Sequence, residues 1–192
     1  MSRDYLASLP AWAQELGRRY LSRSLSQFVL HGNVRDVVPL ETDEGTIQAP
    51  LRKWLAGSLF GEHDVVALYD RSSGLSFESG EQSEDFRRAL SGYDAYHGTE
   101  FSEGMPRDPA SCLRIVESYL KIRAKQGKSM ALVIDYAEAI VPTGEMSGLS
   151  DSDRDVLVTL QRWAHEPFFL ENDVIIVLIA SSLADVHGSL LA

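Results

Sequence analysis

No lysine occurs between Lys53 and Lys121, and no stretch carries the G-x-x-x-x-G-K-[ST] spacing whose backbone N–H groups cradle phosphate. Gly127-Lys128-Ser129 imitates the end of that motif, but position 122 is Ile122 rather than glycine, and the triplet precedes a strand instead of opening a helix. Cysteine is nearly absent too. Cys112 stands alone, which excludes an internal disulfide and leads us to expect a reducing, cytoplasmic setting. The longest apolar run is the seven residues Val174 to Ala180, too short for a spanning helix, and the N-terminus has no basic-then-apolar signal pattern, so no membrane partner is expected. Basic residues are scarce: 18 Lys and Arg face 28 Asp and Glu, the net charge is -10, and no basic cluster could neutralise a nucleic-acid backbone. His31, His63, His97, His165 and His187 never fall at ligand-like spacing, which argues against zinc.

What is present is a core. With 192 residues and 44% hydrophobic content, the chain suits one α/β domain, and we divide it into a helical arm over 1–25 and an α/β domain over 26–192. Leu9, Trp12, Ala13, Leu16 and Tyr20 recur at helical spacing, with Pro10 suited to the first turn. Phe28-Val29-Leu30 reads as a short buried strand broken by His31-Gly32-Asn33, and the acidic, turn-rich stretch 35–50 reads as a surface loop. A helix is expected from Pro50 through Phe60, a strand over Val65 to Asp70, a loop over 71–82 and a short helix to Leu90.

The segment 91–107 shows no clear period and reads as a surface loop or as an insertion that orders against a basic partner through Tyr93, Tyr96 and Phe101. Asp108-Pro109 is a helix start, followed by apolar residues at helical spacing until Gly127. A strand then runs to Asp135, a loop spans 142–150, Asp151 opens another helix, and 174–180 forms the last strand. Fully apolar strands alternating with helices imply a mainly parallel sheet covered on both faces.

Two of these strands carry a resemblance. Ala131-Leu132-Val133-Ile134-Asp135, continuing through Tyr136-Ala137-Glu138, is similar to the Walker B strand of AAA+ ATPases, and Ser150 to Trp163 resembles the charged loop and helix that follow it. Val174 to Ala180 with Ser181-Ser182 resembles that family's sensor-1 strand. The resemblance implies a three-layer α/β/α fold of the P-loop NTPase type, here without the C-terminal helical lid. It also implies that the chain is the first part of a longer protein, stopping before the family's fifth strand, in which a degenerate AAA+-like domain precedes an intact AAA+ module.

By the same resemblance Asp135 holds the magnesium position, Glu138 is the nearest candidate for a catalytic acid because Tyr136 replaces the usual glutamate, and Ser181 stands at the polar sensor position. A phosphate loop would follow the first strand, where His31, Gly32 and Asn33 are the candidates for contact with ATP. Two readings stay open for this site: an active ATPase with an unusual phosphate loop binding ATP and Mg2+, or a relic in which Asp135 is a structural carboxylate. The second makes the chain an assembly or regulatory module whose partners are the remainder of its own polypeptide or neighbouring AAA+ subunits in a homo-oligomer. A third reading, from another class, is an interaction module that docks through 91–107.

Overall fold

The computed structural model describes residue 7, residues 9–32 and residues 35–191. Its centre is a five-stranded sheet in the order β1-β7-β6-β4-β5, built from β1 (Gln27–His31), β4 (Val65–Asp70), β5 (Gly74–Phe77), β6 (Met130–Ile134) and β7 (Val174–Ala180). β1, β7, β6 and β4 run parallel, with Phe28 opposite Val177, Val177 opposite Val133 and Val133 opposite Leu68, while β5 closes one edge antiparallel to β4. Every residue of β6 and β7 is buried.

Alternation along these strands creates two cores. Met130, Leu132, Ile134, Ile176 and Leu178 face one way, against helices α3 (Gly80–His97), α4 (Pro109–Lys125) and α5 (Asp151–Ala164). Ala131, Val133, Ile175, Val177 and Ile179 face the other way, against α1 (Ala11–Leu21) and α2 (Leu51–Trp54), which continues as a wider π turn over Leu55–Leu59. Burying each such branched side chain stabilises the fold by roughly 1.5–3 kcal/mol. A buried strand with apolar residues on both faces therefore demands helices on both sides, and the three-layer α/β arrangement follows.

Local signals set the helix starts. Asp108 caps α4 by accepting the Ser111 N–H at 2.9 Å, with Pro109 in the first turn. Ser150 accepts from Asp153 N–H at 3.1 Å at the start of α5, where Asp151 and Asp153 complement the helix dipole.

Four stretches depart from the sequence expectation. The expected loop 35–50 is a hairpin, β2 (Val37–Thr42) and β3 (Gly45–Pro50), turning at Asp43-Glu44, with Gly45 at φ +118°. Its alternation was obscured because only Val38, Leu40 and Ala49 are buried, while Pro39 and the acidic tip imitate a loop. The expected loop 71–82 contains β5, whose Leu75 and Phe77 pack against the first core. Residues 167–171 form a one-turn helix, α6 (Pro167–Glu171), that inserts Phe169 into that core.

The largest departure is α3, which does not stop at Leu90 but runs to His97 and ends at Gly98 in the left-handed region. Residues 91–97 therefore belong to a helix, and only 98–107 is irregular. The unexpected buried residue is Asp94, whose carboxylate accepts from the Thr99 hydroxyl, the Phe101 N–H at 3.0 Å and the Ser102 N–H at 2.7 Å. Desolvation opposes ionisation there, but these donors outweigh it and hold the carboxyl at about 2. Replacing Asp94 with Asn removes acceptor capacity, so the amides of Phe101 and Ser102 should exchange faster while those of β6 stay protected; equal protection in both chains would reject this role. Phe101 leans on the first core, Tyr93 stacks on His97 at 4.1 Å, and Tyr96 remains 86% exposed.

Candidate functional site

The carboxyl ends of β1, β7, β6 and β4 lie side by side, and each delivers a polar residue to one rim. β6 extends one residue past its last formal pair, because Asp135 N–H donates to the Tyr69 carbonyl at 2.8 Å. That bond fixes the carboxylate of Asp135 at the strand end, where its side chain is only 11% exposed. The chain then turns through Tyr136 in the left-handed conformation, φ 54° and ψ 49°. For a side chain of this size that backbone costs roughly 1–2 kcal/mol. It is held by the Tyr136 N–H, which donates to Asp135 Oδ1 at 2.8 Å, and by a guanidinium stacked on the Tyr136 ring.

That guanidinium belongs to Arg35. It lies 4.0 Å from the ring centroid, donates through Nη1 to Asp135 Oδ1 at 3.1 Å, and brings Nη2 to 3.8 Å from Glu138 Oε1. Glu138 reaches across to β7, where its Oε1 accepts from the Ser181 hydroxyl at 2.8 Å and from the Ser181 N–H at 3.3 Å. Its Oε2 is buried without a hydrogen-bond partner. Beside this cluster, Asp70 at the end of β4 accepts from the N–H groups of Ser72 and Ser73 at 2.9 and 2.7 Å and faces Arg52 of α2 at 3.6 Å. Arg71 donates to the Ala139 carbonyl at 2.7 Å.

A cavity of about 630 Å³ opens over Arg52, Asp70, Arg71, Tyr136 and Asp135, and a smaller one of about 130 Å³ lies between Arg35, Leu51, Asp135 and Ile179. Two arginines, Arg35 and Arg52, face the three carboxylates of this rim, while Arg71 donates to a backbone carbonyl. Each carboxylate has a guanidinium nitrogen within 4 Å, and no group of three or more His, Cys, Asp or Glu among the described residues is placed to hold a metal ion.

The structure thus brings Ser181, 43 positions further along the chain, to Glu138 and so beside Asp135. Gly32 joins the same rim, at φ +80°, through its N–H to the Ser181 carbonyl at 3.2 Å. His31 does not: it lines a separate groove of about 750 Å³ with Gln27, Val29, Gln161 and His165. Asn33 lies outside the described residues. Lys128 is at the other end of the sheet, where it pairs with Asp64 at 2.7 Å ahead of β4. Cys112 is buried on α4, and burial pushes its thiol up to about 12, which rules against a nucleophilic role.

Sequence reasoning missed Arg35, Arg52 and Asp70 as parts of this rim. Arg35 is a hundred positions from Asp135. The signal available was modest: a cation a few residues after a parallel strand, in a sheet where two other strands, β6 and β4, end in carboxylates.

Comparison with known proteins adds a family. The model described as the AAA+ chaperone, N-terminal Rossmann-like domain matches residues 3–192. No curated protein matches the chain. Among solved structures, one from the complex titled "Structure of E. coli MS115-1 HORMA:CdnC:Trip13 complex" is 16% identical, with a TM-score of 0.47 over 94% of this chain and 51% of that one. This chain therefore spans about half the length of that structure's chain.

Proposed function

The chain belongs to the family of AAA+ chaperone N-terminal Rossmann-like domains, and from that premise we propose that it is a degenerate ATPase-like module that no longer binds or hydrolyses ATP. It acts in assembly or regulation of a larger ATP-dependent remodelling protein. Its partners are the remainder of that polypeptide or neighbouring AAA+ subunits in a cytoplasmic homo-oligomer.

The observation that carries this reading is the Arg35–Asp135 pair. Magnesium takes near-octahedral oxygen ligands and favours free carboxylate lone pairs. Here Asp135 Oδ1 already accepts from two donors, and a fixed positive charge lies 3.1 Å away. A cation beside that charge would be repelled, by about 4 kcal/mol per unit charge at 4 Å near a protein surface.

The phosphate side fits no better. β1 is followed within a few residues by the β2–β3 hairpin rather than by a glycine-rich turn into a helix, and α2 begins only at Leu51. Lys128 does not supply the phosphate lysine, since Asp64 holds it at the far end of the sheet. The residues present therefore do not fit a magnesium–nucleotide complex, and the chemistry of the parent protein is assigned to its other parts.

Isothermal titration of the chain with magnesium-ATP is expected to give no binding heat in the micromolar range. Micromolar affinity, or turnover that disappears in Asp135→Asn, would overturn the reading in favour of an active ATPase.

A further inference from the structure

We propose that Arg35 is the resident cation of the strand-end carboxylates: a guanidinium latch, set ahead of β2, that ties the ends of β6 and β7 and closes that position to a divalent ion. This deepens the reading above and rests on it, because it says what took the place of the metal.

One guanidinium makes three different contacts there, with the Asp135 carboxylate at 3.1 Å, the Glu138 carboxylate at 3.8 Å and the face of Tyr136 at 4.0 Å. A planar, permanently charged fork suits this combination, because it can meet oxygen in its plane and an aromatic ring on its face. The two carboxylates belong to the loop after β6, and Glu138 is in turn tied to Ser181 at the end of β7. Arg35 therefore joins three neighbouring strand ends: it follows β1, pairs beyond β6, and is linked through Glu138 to β7. About two-thirds of its side chain is covered, at 34% exposure, against 69–75% exposure for Arg18, Arg23, Arg88 and Arg114 elsewhere on the molecule.

Tyr136 makes the arrangement costly in any other role. Its left-handed backbone is unfavourable for a tyrosine, and the half-exposed ring it presents is stacked by Arg35. Glu138 supplies the independent sign that the position is built for a cation. Its Oε2 is buried and unpartnered, so the carboxylates hold more acceptor capacity than the guanidinium uses. Withdrawing Arg35 leaves Asp135 and Glu138 as uncompensated, largely covered carboxylates beside the Ser181 hydroxyl, an all-oxygen donor set of the kind hard divalent cations take.

The test is a titration with Mn2+, followed by the electron paramagnetic resonance of the free ion, on the full chain and on Arg35→Ala. The native chain is expected to show no site at submillimolar Mn2+. Arg35→Ala should gain affinity by at least about tenfold, since one like-signed charge is removed at close range. The gain should vanish in the double variant Arg35→Ala/Asp135→Asn. A native chain that already binds Mn2+ as tightly as Arg35→Ala, or a folded Arg35→Ala with no gain, overturns the latch. If Arg35→Ala does not fold, Arg35→Met keeps the aliphatic stem over Tyr136 without the charge and carries the same test. The two proposals fail separately: magnesium-ATP binding by the native chain overturns the proposed function, whereas a null Mn2+ result in the folded variant removes the latch alone.

Discussion

Trp54→Ala should lower the stability of the chain by about 3–5 kcal/mol, the range for emptying a large aromatic from a closed core. Trp54 is fully buried in α2 and meets Trp12 of α1 edge-on, with ring centroids 5.8 Å apart. The same core takes Leu9, Ala13 and Leu16 from α1 and its flank, Val38 and Leu40 from the hairpin, and Val133 and Val177 from the sheet. The indole is thus the piece through which α1, α2 and the hairpin share one core. Its removal leaves a cavity that the surrounding strands cannot collapse to fill, because their other face is packed too.

Denaturant unfolding would show this as a lower midpoint at an unchanged slope, and hydrogen exchange should find the α1 amides losing protection first. A loss below about 1 kcal/mol, or α1 protection equal to that of the native chain, would show that α1 is an appendage rather than part of this core. Arg52 lies two residues before Trp54 on the same short helix, so the substitution should also loosen the Arg52–Asp70 contact on the rim.

The second large effect concerns Glu117, and it depends on pH. Burial by itself pushes this carboxyl upward, but Arg162 outweighs that with two bonds of 2.6 Å, and Lys121 adds a contact at 2.8 Å; the carboxyl is held at about 2 against an ordinary 4.5. Its side chain is 11% exposed. A carboxyl depressed by this much contributes roughly 3 kcal/mol of stability, fully present above the unfolded value. As the pH falls from about 4.5 to about 2, the unfolded chain takes up the proton before the native one, so the contribution declines and is gone below the native value.

Glu117→Gln keeps the shape without the charge. At pH 7 it should be about 3 kcal/mol less stable than the native chain, with the gap closing toward zero near pH 2. A gap that stays constant across that window would mean that ionisation of Glu117 does not set the stability of the α4–α5 seam. The rim itself should be unaffected, because Glu117 lies on α4, in the helical layer that packs over one face of the sheet.

How much of this was legible depended on burial. β4, β6 and β7 were visible because nearly every residue is apolar, a pattern only a strand covered on both faces produces. β2, β3 and β5 were not, since they are partly exposed and their few inward residues are diluted by acids, proline and glycine. α3 was cut short because the residue continuing its buried face past Leu90 is Asp94, and a buried carboxylate breaks the apolar period even when local donors satisfy it.

The rim followed the same rule. Asp135 and Ser181 could be placed because each directly ends a strand that was itself legible. Arg35 follows a strand but precedes a hairpin whose sequence imitates a loop, and its partner carboxylate is distant in the chain.

The missing lysine and the missing phosphate motif were therefore conclusions of sequence alone, as were the parallel sheet, the two-sided core and the strand-end position of Asp135, because all of these depend on residue type and local period. Which charges meet at that strand end was decided by the tertiary structure. Parallel strands bring residues from distant parts of the chain to a common edge, and only strand order and register specify that Arg35 reaches Asp135 while Lys128 is left at the opposite end. The absence read first in the sequence, no cation to grip phosphate, acquired its counterpart in three dimensions: a cation is present, and it is already paired with the carboxylate.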